Sequence, residues 1–392
     1  MCANVLVFID CYERVSFFTR IAKAGEKYGH VFSFLTDSIS SHKELMRQGF
    51  NSYLLKRPGV PSERSEEYKT SLDVLNGNQS EKYAKFYGHS IRESISGINR
   101  SFKYIFVWNG SSTAGLSLKY YAKLNDIKVG YFEISNLPNK LFVDPEGVNA
   151  KSWLYAHVDV LDGLPDVSQE QFDEWKEQWR LSKKELLPQT KLLGTNKYNY
   201  YFDRIFSLVS FLPFSNEFSL RWPKSRKKIN LNGDKVDIDK GYVFLPLQVS
   251  GDSQLKINSN VGNLQAIDLA YKVAAEYCYP LFIKIHPAEF DECRIKEIYS
   301  YISGRDIFIV NMDTNFLIEK SRCVCVINST VGLEAIILEK KVVVLGRAIY
   351  QEFDQRRLKS FIANWLVNID YFSTDEVSIH EYAEIIKRIE VV

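Results

Sequence analysis

Short apolar runs alternate along this chain with longer segments in which apolar residues recur every three or four positions. A run of about four to eight apolar residues is typical of a buried strand, whereas the longer period is that of one helix face. Their alternation predicts a parallel sheet with helices between its strands. In the first half, strands are predicted at residues 5–9, 31–35, 104–108 and 129–134, and helices at residues 17–28, 80–96 and 113–124.

The pattern loses its regularity after residue 135 and resumes at Tyr242, and we find no internal repeat. The irregular stretch contains two predicted helices, and a second α/β half follows it with strands at residues 243–247, 281–285, 307–310, 323–327 and 341–345. Two such halves predict an α/β, GT-B-like fold in which two Rossmann-like domains face a central cleft. We expect a first domain with an insertion over residues 1–215, a linker over 216–240, and a second domain over 241–392, whose last helix can pack on the first domain.

Composition changes this picture little. A chain of 392 residues with 45% hydrophobic and 25% charged residues is long enough for two cores. The net charge of +2 argues against nucleic-acid binding, which usually needs a concentrated basic excess. One local basic segment is either a solvated hinge or a peripheral contact with an anionic membrane or lipid diphosphate. It contains Arg221, Lys224, Arg226, Lys227 and Lys228.

The cysteines and the amino terminus both indicate a cytoplasmic protein. The six cysteines show no paired metal-binding spacing and are interpreted as reduced thiols. The first ten residues contain no basic segment and lead directly into a strand, which predicts no signal peptide. Because no uncharged apolar run reaches about 18 residues, any membrane attachment is expected to be peripheral.

The most informative candidate site is the junction at Asn328, Ser329 and Thr330, where an apolar strand meets an apolar helix. The first amides of a helix lack partners within the helix and carry its positive dipole end, so this junction can hold a phosphate. Glu334 lies about one turn deeper and can accept hydrogen bonds from ribose hydroxyls. The alternatives are ordinary helix capping by the hydroxyl residues and a surface salt bridge for Glu334.

A second junction has the sequence Lys284-Ile285-His286-Pro287 after an apolar strand. His286 can donate to a phosphate and transfer a proton to a departing group, although a single histidine after a strand is more often structural. Two anion-binding strand ends in one half favour nucleotide-sugar chemistry.

Several motifs, in this order, resemble the bacterial capsule-polysaccharide biosynthesis family, which includes β-Kdo glycosyltransferases. In the second half they are Pro246-Leu247-Gln248, Gly251-Asp252-Ser253, Lys284 to Pro287, Ser329 to Glu334 and Val342 to Gly346. In the first half they are Trp108-Asn109-Gly110, the strand ending at Glu133, and the stretch from Asn136 to Asn149. The likeness spans most of the chain.

This resemblance implies a transferase that moves Kdo from CMP-Kdo to a surface glycan acceptor on a lipid carrier. A donor with one phosphate implies no metal and no other cofactor. The resemblance places the phosphate on His286, Ser329 and Thr330 and the ribose on Glu334. Other donor-site residues would be Gln248, Ser250, Ser253, Lys284, Pro287 and Asn328.

In the first half, Asp10, Glu133 and Asp144 are candidate general bases for the acceptor hydroxyl in an inverting route, to which a covalent route is the alternative. Candidate acceptor or sugar contacts are Asn109, Asn136, Asp144 and Asn149. For loop residues of these types, hydrogen bonds that fix the loop are the alternative.

A β-linked product from CMP-β-Kdo is formed with retention, and retention by two displacements requires a carboxylate near the anomeric carbon. Asp234 is a candidate, next to the turn at Asn232-Gly233. If the family's nucleophile aligns with Asn232, this chain departs from the family there, because an amide cannot form the covalent adduct. Two other functions stay open: a transferase for another CMP- or UDP-sugar, and a non-catalytic protein of polysaccharide assembly or export.

Overall fold

The computed structural model describes residues 3–59, 66–185, 197–217, 233–249 and 253–392. The chain divides into two compact units. The first unit comprises Met1–Ala156, Ser168–Ser219 and Ile362–Val392, and the second comprises His157–Val167 and Leu220–Phe361. Asn232, Ser250 and the predicted basic segment lie outside the described residues.

The strands are β1 (Asn4–Ile9), β2 (Val31–Thr36), β3 (Asn51–Leu54), β4 (Tyr104–Trp108), β5 (Lys128–Ile134), β6 (Leu141–Asp144), β7 (Val243–Pro246), β8 (Leu281–Lys284), β9 (Ile307–Ile309), β10 (Cys323–Val326) and β11 (Lys341–Val344). The helices are α1 (Arg14–Lys27), α2 (Ile39–Arg47), α3 (Leu72–Leu75), α4 (Glu81–Ser96), α5 (Thr113–Leu124), α6 (Trp153–Ala156), α7 (Gln169–Glu185), α8 (Lys197–Ser210), α9 (Ser253–Asn258), α10 (Asn263–Glu276), α11 (Glu292–Ile302), α12 (Thr314–Lys320), α13 (Thr330–Ile337), α14 (Gln355–Ser360) and α15 (Ile379–Ile389).

The first unit is built on a sheet with the strand order β3-β2-β1-β4-β5-β6. Its strands run parallel except β6, which pairs antiparallel with β5. Val5 on β1 is fully buried, and Phe18 of α1 packs edge-on against Phe132 of β5, with 5.4 Å between ring centroids. Ile385 and Ile389 of α15 belong to the same core. Residues of β1 and of α15 therefore belong to the same hydrophobic core.

The second unit has a five-stranded parallel sheet with the order β11-β10-β7-β8-β9. Its core is aliphatic, with Leu245, Ile283 and Cys325 from the strands and Ala270 from α10 all fully buried. Cys325 is one of the free cysteines of the described residues. No described helix combines the length and the apolar character needed to cross a membrane.

The predicted α/β class with parallel sheets is confirmed. The observed division differs from the predicted one in two segments. Residues 157–167 belong to the second unit. Residues 362–392, whose last helix was expected to pack on the first domain, belong to the first unit. Hydrophobic periodicity predicts that such segments are ordered, but it does not identify the core that buries them.

Candidate functional site

Each sheet contains one point where the strand order reverses. In the first unit this point lies between β1 and β4, and in the second between β7 and β10. The connections leave neighbouring strands in opposite directions there, so a crevice forms beyond their carboxyl ends, and ligands of open α/β sheets bind in such crevices. We refer to these points as the first and second switch points.

A pair of side-chain amides joins the two strands of the second switch point. Gln248, just after β7, donates from Nε2 to Oδ1 of Asn328, just after β10, at 3.0 Å, and accepts from the Asn328 backbone N–H at 3.3 Å. Asn263 fixes the Gln248 backbone, accepting its N–H at 3.2 Å and donating to its carbonyl at 2.7 Å. Gln248 therefore links the ends of the two strands, and its predicted contact with the donor stays a prediction.

Helix α13 starts directly beside this amide pair. Ser329 is its N-cap, with extended backbone (φ −70°, ψ 149°), and its hydroxyl accepts the Val331 N–H at 3.3 Å. Among the described residues, none accepts a hydrogen bond from the Thr330 N–H. An unpaired amide at the positive end of a helix dipole is suited to an anionic ligand atom.

Tyr350 stabilises this helix start through a hydrogen bond and close packing. Its hydroxyl donates to the carbonyl of Ser329. A Cβ on Gly332 would lie 2.5 Å from that hydroxyl oxygen, so only glycine lets the ring approach the helix so closely. Glu334 is 9% exposed on the same helix. Burial, and the charge of Glu334, raise the pKa of the Tyr350 hydroxyl.

His286 lies on the exposed loop after β8, the neighbour of β7. Its Nδ1 accepts the Ala288 N–H at 3.0 Å. A neutral imidazole in this geometry carries its proton on Nε2, which makes Nε2 a hydrogen-bond donor. Pro287 is also exposed on this loop.

Lys284, a predicted donor-site residue, is held by contacts within the protein. Its ammonium donates to the Met312 carbonyl at 2.7 Å and to the Thr314 hydroxyl at 2.9 Å. Burial lowers its pKa, and the nearby charge of Asp313 partly offsets this. These contacts tie β8 to α12 and give Lys284 a structural role.

The candidate nucleophile Asp234 lies at the sheet edge. Its Oδ2 accepts the Ile309 N–H at 2.7 Å, and its own N–H donates to the Ile309 carbonyl at 2.7 Å. β9 is two strands away from β7, about 10 Å at the usual strand spacing. The second switch point therefore does not include Asp234, whose carboxylate instead satisfies an edge amide. Ser253 begins α9.

The first switch point repeats the helix-start sequence of the second. Residues 112–116 and 329–333 both read Ser-Thr-x-Gly-Leu, and both follow the fourth strand of their own sheet. Here, however, an internal carboxylate occupies the helix start, because Asp73 Oδ2 accepts the Thr113 N–H at 2.7 Å. Burial raises the pKa of Asp73, and its bonds from Thr113 partly oppose this. Sequence reasoning missed this short repeat, although the five letters were available to find it.

Charged groups gather at the first switch point. Asp10, after β1, accepts from the Arg14 guanidinium, and Glu133 accepts from the Asn109 amide. Arg14, which sequence reasoning did not select, also lies 4.6 Å from the ring centroid of Trp108. Burial raises the pKa of the Glu133 carboxyl, while the Asn109 bond and the Arg14 charge lower it in part. The structure thus brings together three predicted residues of the first half: Asp10, Asn109 and Glu133.

The other loop candidates of the first half, Asp144, Asn149 and Asn136, have three different surroundings. Asp144 is fully buried, and its Oδ1 accepts the Trp153 N–H at 2.8 Å while its Oδ2 accepts the Leu154 N–H at 3.1 Å. The same Oδ1 accepts two further backbone amides, so the contacts correct the expectation of a substrate role and support the loop-fixing alternative. Asn149 starts a short 3₁₀ turn with φ 54°. Asn136 lines a cavity of the first unit.

Similarity to known proteins extends over most of the chain. The sequence profile of capsule polysaccharide biosynthesis proteins matches residues 105–366. The capsule polysaccharide export protein KpsS of Escherichia coli is 26% identical over 253 residues, which are 59% of this chain and 64% of KpsS. Protein FixF of Sinorhizobium fredii is 35% identical over 125 residues, 29% of each chain. The chain thus spans less than two thirds of either relative. Among solved structures, the β-Kdo 2,7 transferase KpsC of Thermosulfurimonas dismutans matches with 13% identity and a TM-score of 0.49, over 98% of this chain and 99% of that one.

Proposed function

The chain belongs to the capsule polysaccharide biosynthesis family, and from this premise we propose that it is a glycosyltransferase that moves Kdo from CMP-Kdo to a glycan on a lipid carrier. The observation that carries the proposal is the helix start at Ser329 and Thr330. It lies at a switch point, it presents an amide without an acceptor among the described residues, and its counterpart in the first unit already binds a carboxylate.

The CMP phosphate is proposed to bind the amide of Thr330, with Ser329 at its side. As the bond from the anomeric carbon to the phosphate oxygen breaks, negative charge grows on that phosphate, and fixed donors stabilise the transition state. His286 supplies a second donor through Nε2–H. Glu334 is proposed to accept the ribose hydroxyls. A single phosphate carries little charge, so these donors are proposed to suffice without a metal ion.

The acceptor hydroxyl must lose a proton during transfer. Glu133 is proposed to take it, with Asp10 and Arg14 as neighbouring charges. Burial raises the Glu133 pKa, which makes the carboxylate a stronger base than one in water. Retention of the β configuration is proposed to proceed by two displacements: an enzyme carboxylate first displaces CMP from the anomeric carbon, and the acceptor hydroxyl, deprotonated by Glu133, then displaces that carboxylate.

A peripheral membrane position is proposed for the same protein, and the exposed apolar face of α8 supports it. Tyr198 is 88% exposed and Val209 is 74% exposed. Large exposed side chains recur at helical spacing along this face: Tyr198, Tyr201, Phe202, Ile205, Leu208 and Val209. The Lys43 ammonium lies 5.3 Å from the Phe202 ring centroid, so a cation lies beside the apolar row. Apolar insertion beside basic side chains is typical of helices on anionic bilayers.

Isothermal titration calorimetry without metal tests the donor site. We expect CMP to bind more tightly than UMP or UDP, and His286→Ala and Glu334→Ala each to weaken CMP binding at least about tenfold, because the first removes a hydrogen-bond donor and the second an acceptor. His380→Ala and Glu319→Ala make the same changes at exposed helix positions and should bind CMP normally.

The outcomes separate the alternatives. A preference for UDP would favour a transferase for another nucleotide sugar. A folded protein that binds no nucleotide would favour an assembly or export role, of which export is the one stated in the name of KpsS.

A further inference from the structure

The first unit contains a cavity of about 590 Å³, and none of its lining residues has a role in the proposed transfer reaction. Its walls come from three segments of this one unit: the loop between β5 and β6, helix α7, and residues 368–372. Tyr371 lines the cavity and also packs against Trp108, with 5.0 Å between ring centroids. The cavity therefore adjoins the first switch point.

A single lysine supplies the cation of this cavity among its lining residues. The Lys140 ammonium donates to Oδ1 of Asn368 at 2.5 Å, and no carboxylate of the described residues pairs with it. An ammonium has three donors, so two can face a ligand. Burial lowers the Lys140 pKa to about 8.

The acidic residue of the cavity is turned toward its own backbone. Asp370 Oδ1 accepts the Phe372 N–H at 2.8 Å, and the Asp370 carbonyl accepts from Arg20 at 2.9 Å. These bonds fix residues 370–372 as a turn. The Lys140 ammonium therefore contacts the Asn368 amide rather than a carboxylate, and a ligand anion would complete its environment.

The remaining walls combine aromatic rings with amides. Trp175 comes from α7, where it stacks on Trp179 with 6.3 Å between ring centroids. Asn136 and Gln178 contribute side-chain amides. The C–H faces of a sugar ring are apolar and pack against aromatic rings, while amides pair with its hydroxyls, so this lining suits a saccharide.

We propose that this cavity is a subsite for an acidic saccharide, with the sugar ring against Trp175 and its carboxylate on the Lys140 ammonium. Its assignment to the end of the acceptor glycan depends on the proposed function, because a glycan built from Kdo carries a carboxylate on each Kdo residue. The binding of an acidic sugar itself does not depend on it.

The test measures binding of the methyl glycoside of Kdo, and of a neutral methyl hexoside, by titration calorimetry on the full chain without donor. Lys140→Met keeps the aliphatic stem and removes the charge, and we expect it to weaken the acidic ligand about tenfold or more. Lys123→Met makes the same charge change at an exposed position of α5 and should leave binding unchanged. Trp175→Ala should weaken the acidic ligand by a similar factor.

The pH dependence gives a second readout. With a pKa of about 8, Lys140 loses most of its charge between pH 7 and pH 9, so binding should weaken about tenfold over that range and Lys140→Met should abolish the dependence. Asp370 and Tyr371 are the other titratable residues lining the cavity. Burial raises the Tyr371 pKa to about 12, above the range of the test, and the charge of Arg14 lowers it in part.

Binding of acidic and neutral ligands with equal affinity would overturn the proposal, as would full binding by a folded Lys140→Met variant. CMP affinity, measured on the same samples, separates the two proposals. A protein that binds CMP but no acidic saccharide overturns the subsite alone. A protein that binds the acidic saccharide but no CMP supports the subsite and overturns the donor assignment.

Discussion

The two switch points share a topology and a pentapeptide, yet they differ in what meets the first amide of their helices. At the first, the Thr113 N–H donates to Asp73. At the second, the Thr330 N–H has no acceptor among the described residues. The carboxylate of Asp73 thus occupies the position that we propose for a phosphate in the second unit. The comparison teaches that a helix-start motif predicts an anion, whereas its surroundings decide whether that anion belongs to the protein or to a ligand.

Substitution of the shared glycine gives the largest expected effect. A Cβ on Gly115 would lie 2.5 Å from the backbone of Gly110, which cannot move away easily, whereas a Cβ on Gly332 would meet the side chain of Tyr350. We expect Gly115→Ala to lower the free energy of unfolding by about 3 kcal/mol and Gly332→Ala by about 1–2 kcal/mol. Urea denaturation measures both.

Gly163→Ala is the matched control, because no atom lies within 4 Å of its added Cβ. Equal losses at Gly115 and Gly332 would contradict the difference that we draw between the two helix starts.

Replacement of the first helical residue by proline is expected to separate binding from stability. Proline removes the N–H and is well tolerated at the first position of a helix, and Ser112 and Ser329 before it have extended backbone, as proline requires. Thr330→Pro should weaken CMP about tenfold, close to 1.4 kcal/mol, with little change in unfolding. Thr113→Pro should instead lower the free energy of unfolding by about 2 kcal/mol, since it strands the Asp73 carboxylate, and should leave CMP affinity unchanged.

Thr113→Ala and Thr330→Ala control for the lost hydroxyls. The comparison fails if Thr330→Pro binds CMP as well as Thr330→Ala does, or if Thr113→Pro is as stable as Thr113→Ala.

The last expected effect is the smallest when counted per pH unit, and it concerns Asp37, a buried acid of the first unit. Burial raises the Asp37 pKa to about 7, although bonds from Tyr87 and from the Ser215 amide oppose this. Since the folded-state pKa exceeds the unfolded value near 3.9, this group stabilises the fold fully below pH 4 and loses that contribution as pH rises through 7. The slope should reach at most about 1.4 kcal/mol per pH unit.

Asp37→Asn should flatten this dependence in urea denaturation between pH 5 and pH 8, and Asp159→Asn, at an exposed position, should not. An unchanged slope in Asp37→Asn would assign the pH dependence to other groups.

Local pattern predicted most of the elements. The run at residues 5–9 corresponds to β1, the periodic segment 113–124 is α5, and the strand at 323–327 corresponds to β10. The prediction missed β6, whose four residues pair antiparallel and were interpreted as loop. Hydrophobic periodicity does not show which strands pair, because strand pairing depends on residues that are distant in the sequence.

The candidate site was predicted unevenly for the same reason. Ser329 and Thr330 were found because a strand, hydroxyl residues and a helix are adjacent in sequence. Tyr350 and Asn263, which hold that junction in place, come from other elements and gave no local signal. The structural contacts of Lys284 were not predicted, because its partner Thr314 lies 30 residues away. The roles predicted for His286 and Glu334 stay predictions until nucleotide binding is measured.

The position of α15 in the first core has a consequence for biosynthesis. A ribosome makes the chain from its amino end, so the sheet containing Val5 lacks one of its covering helices until residues 379–389 have been made. By then every residue of the second unit has been synthesised. The second unit can thus fold first. Until the last helix is made, one apolar face of the first sheet stays partly uncovered, and such exposed apolar surface is what chaperones bind.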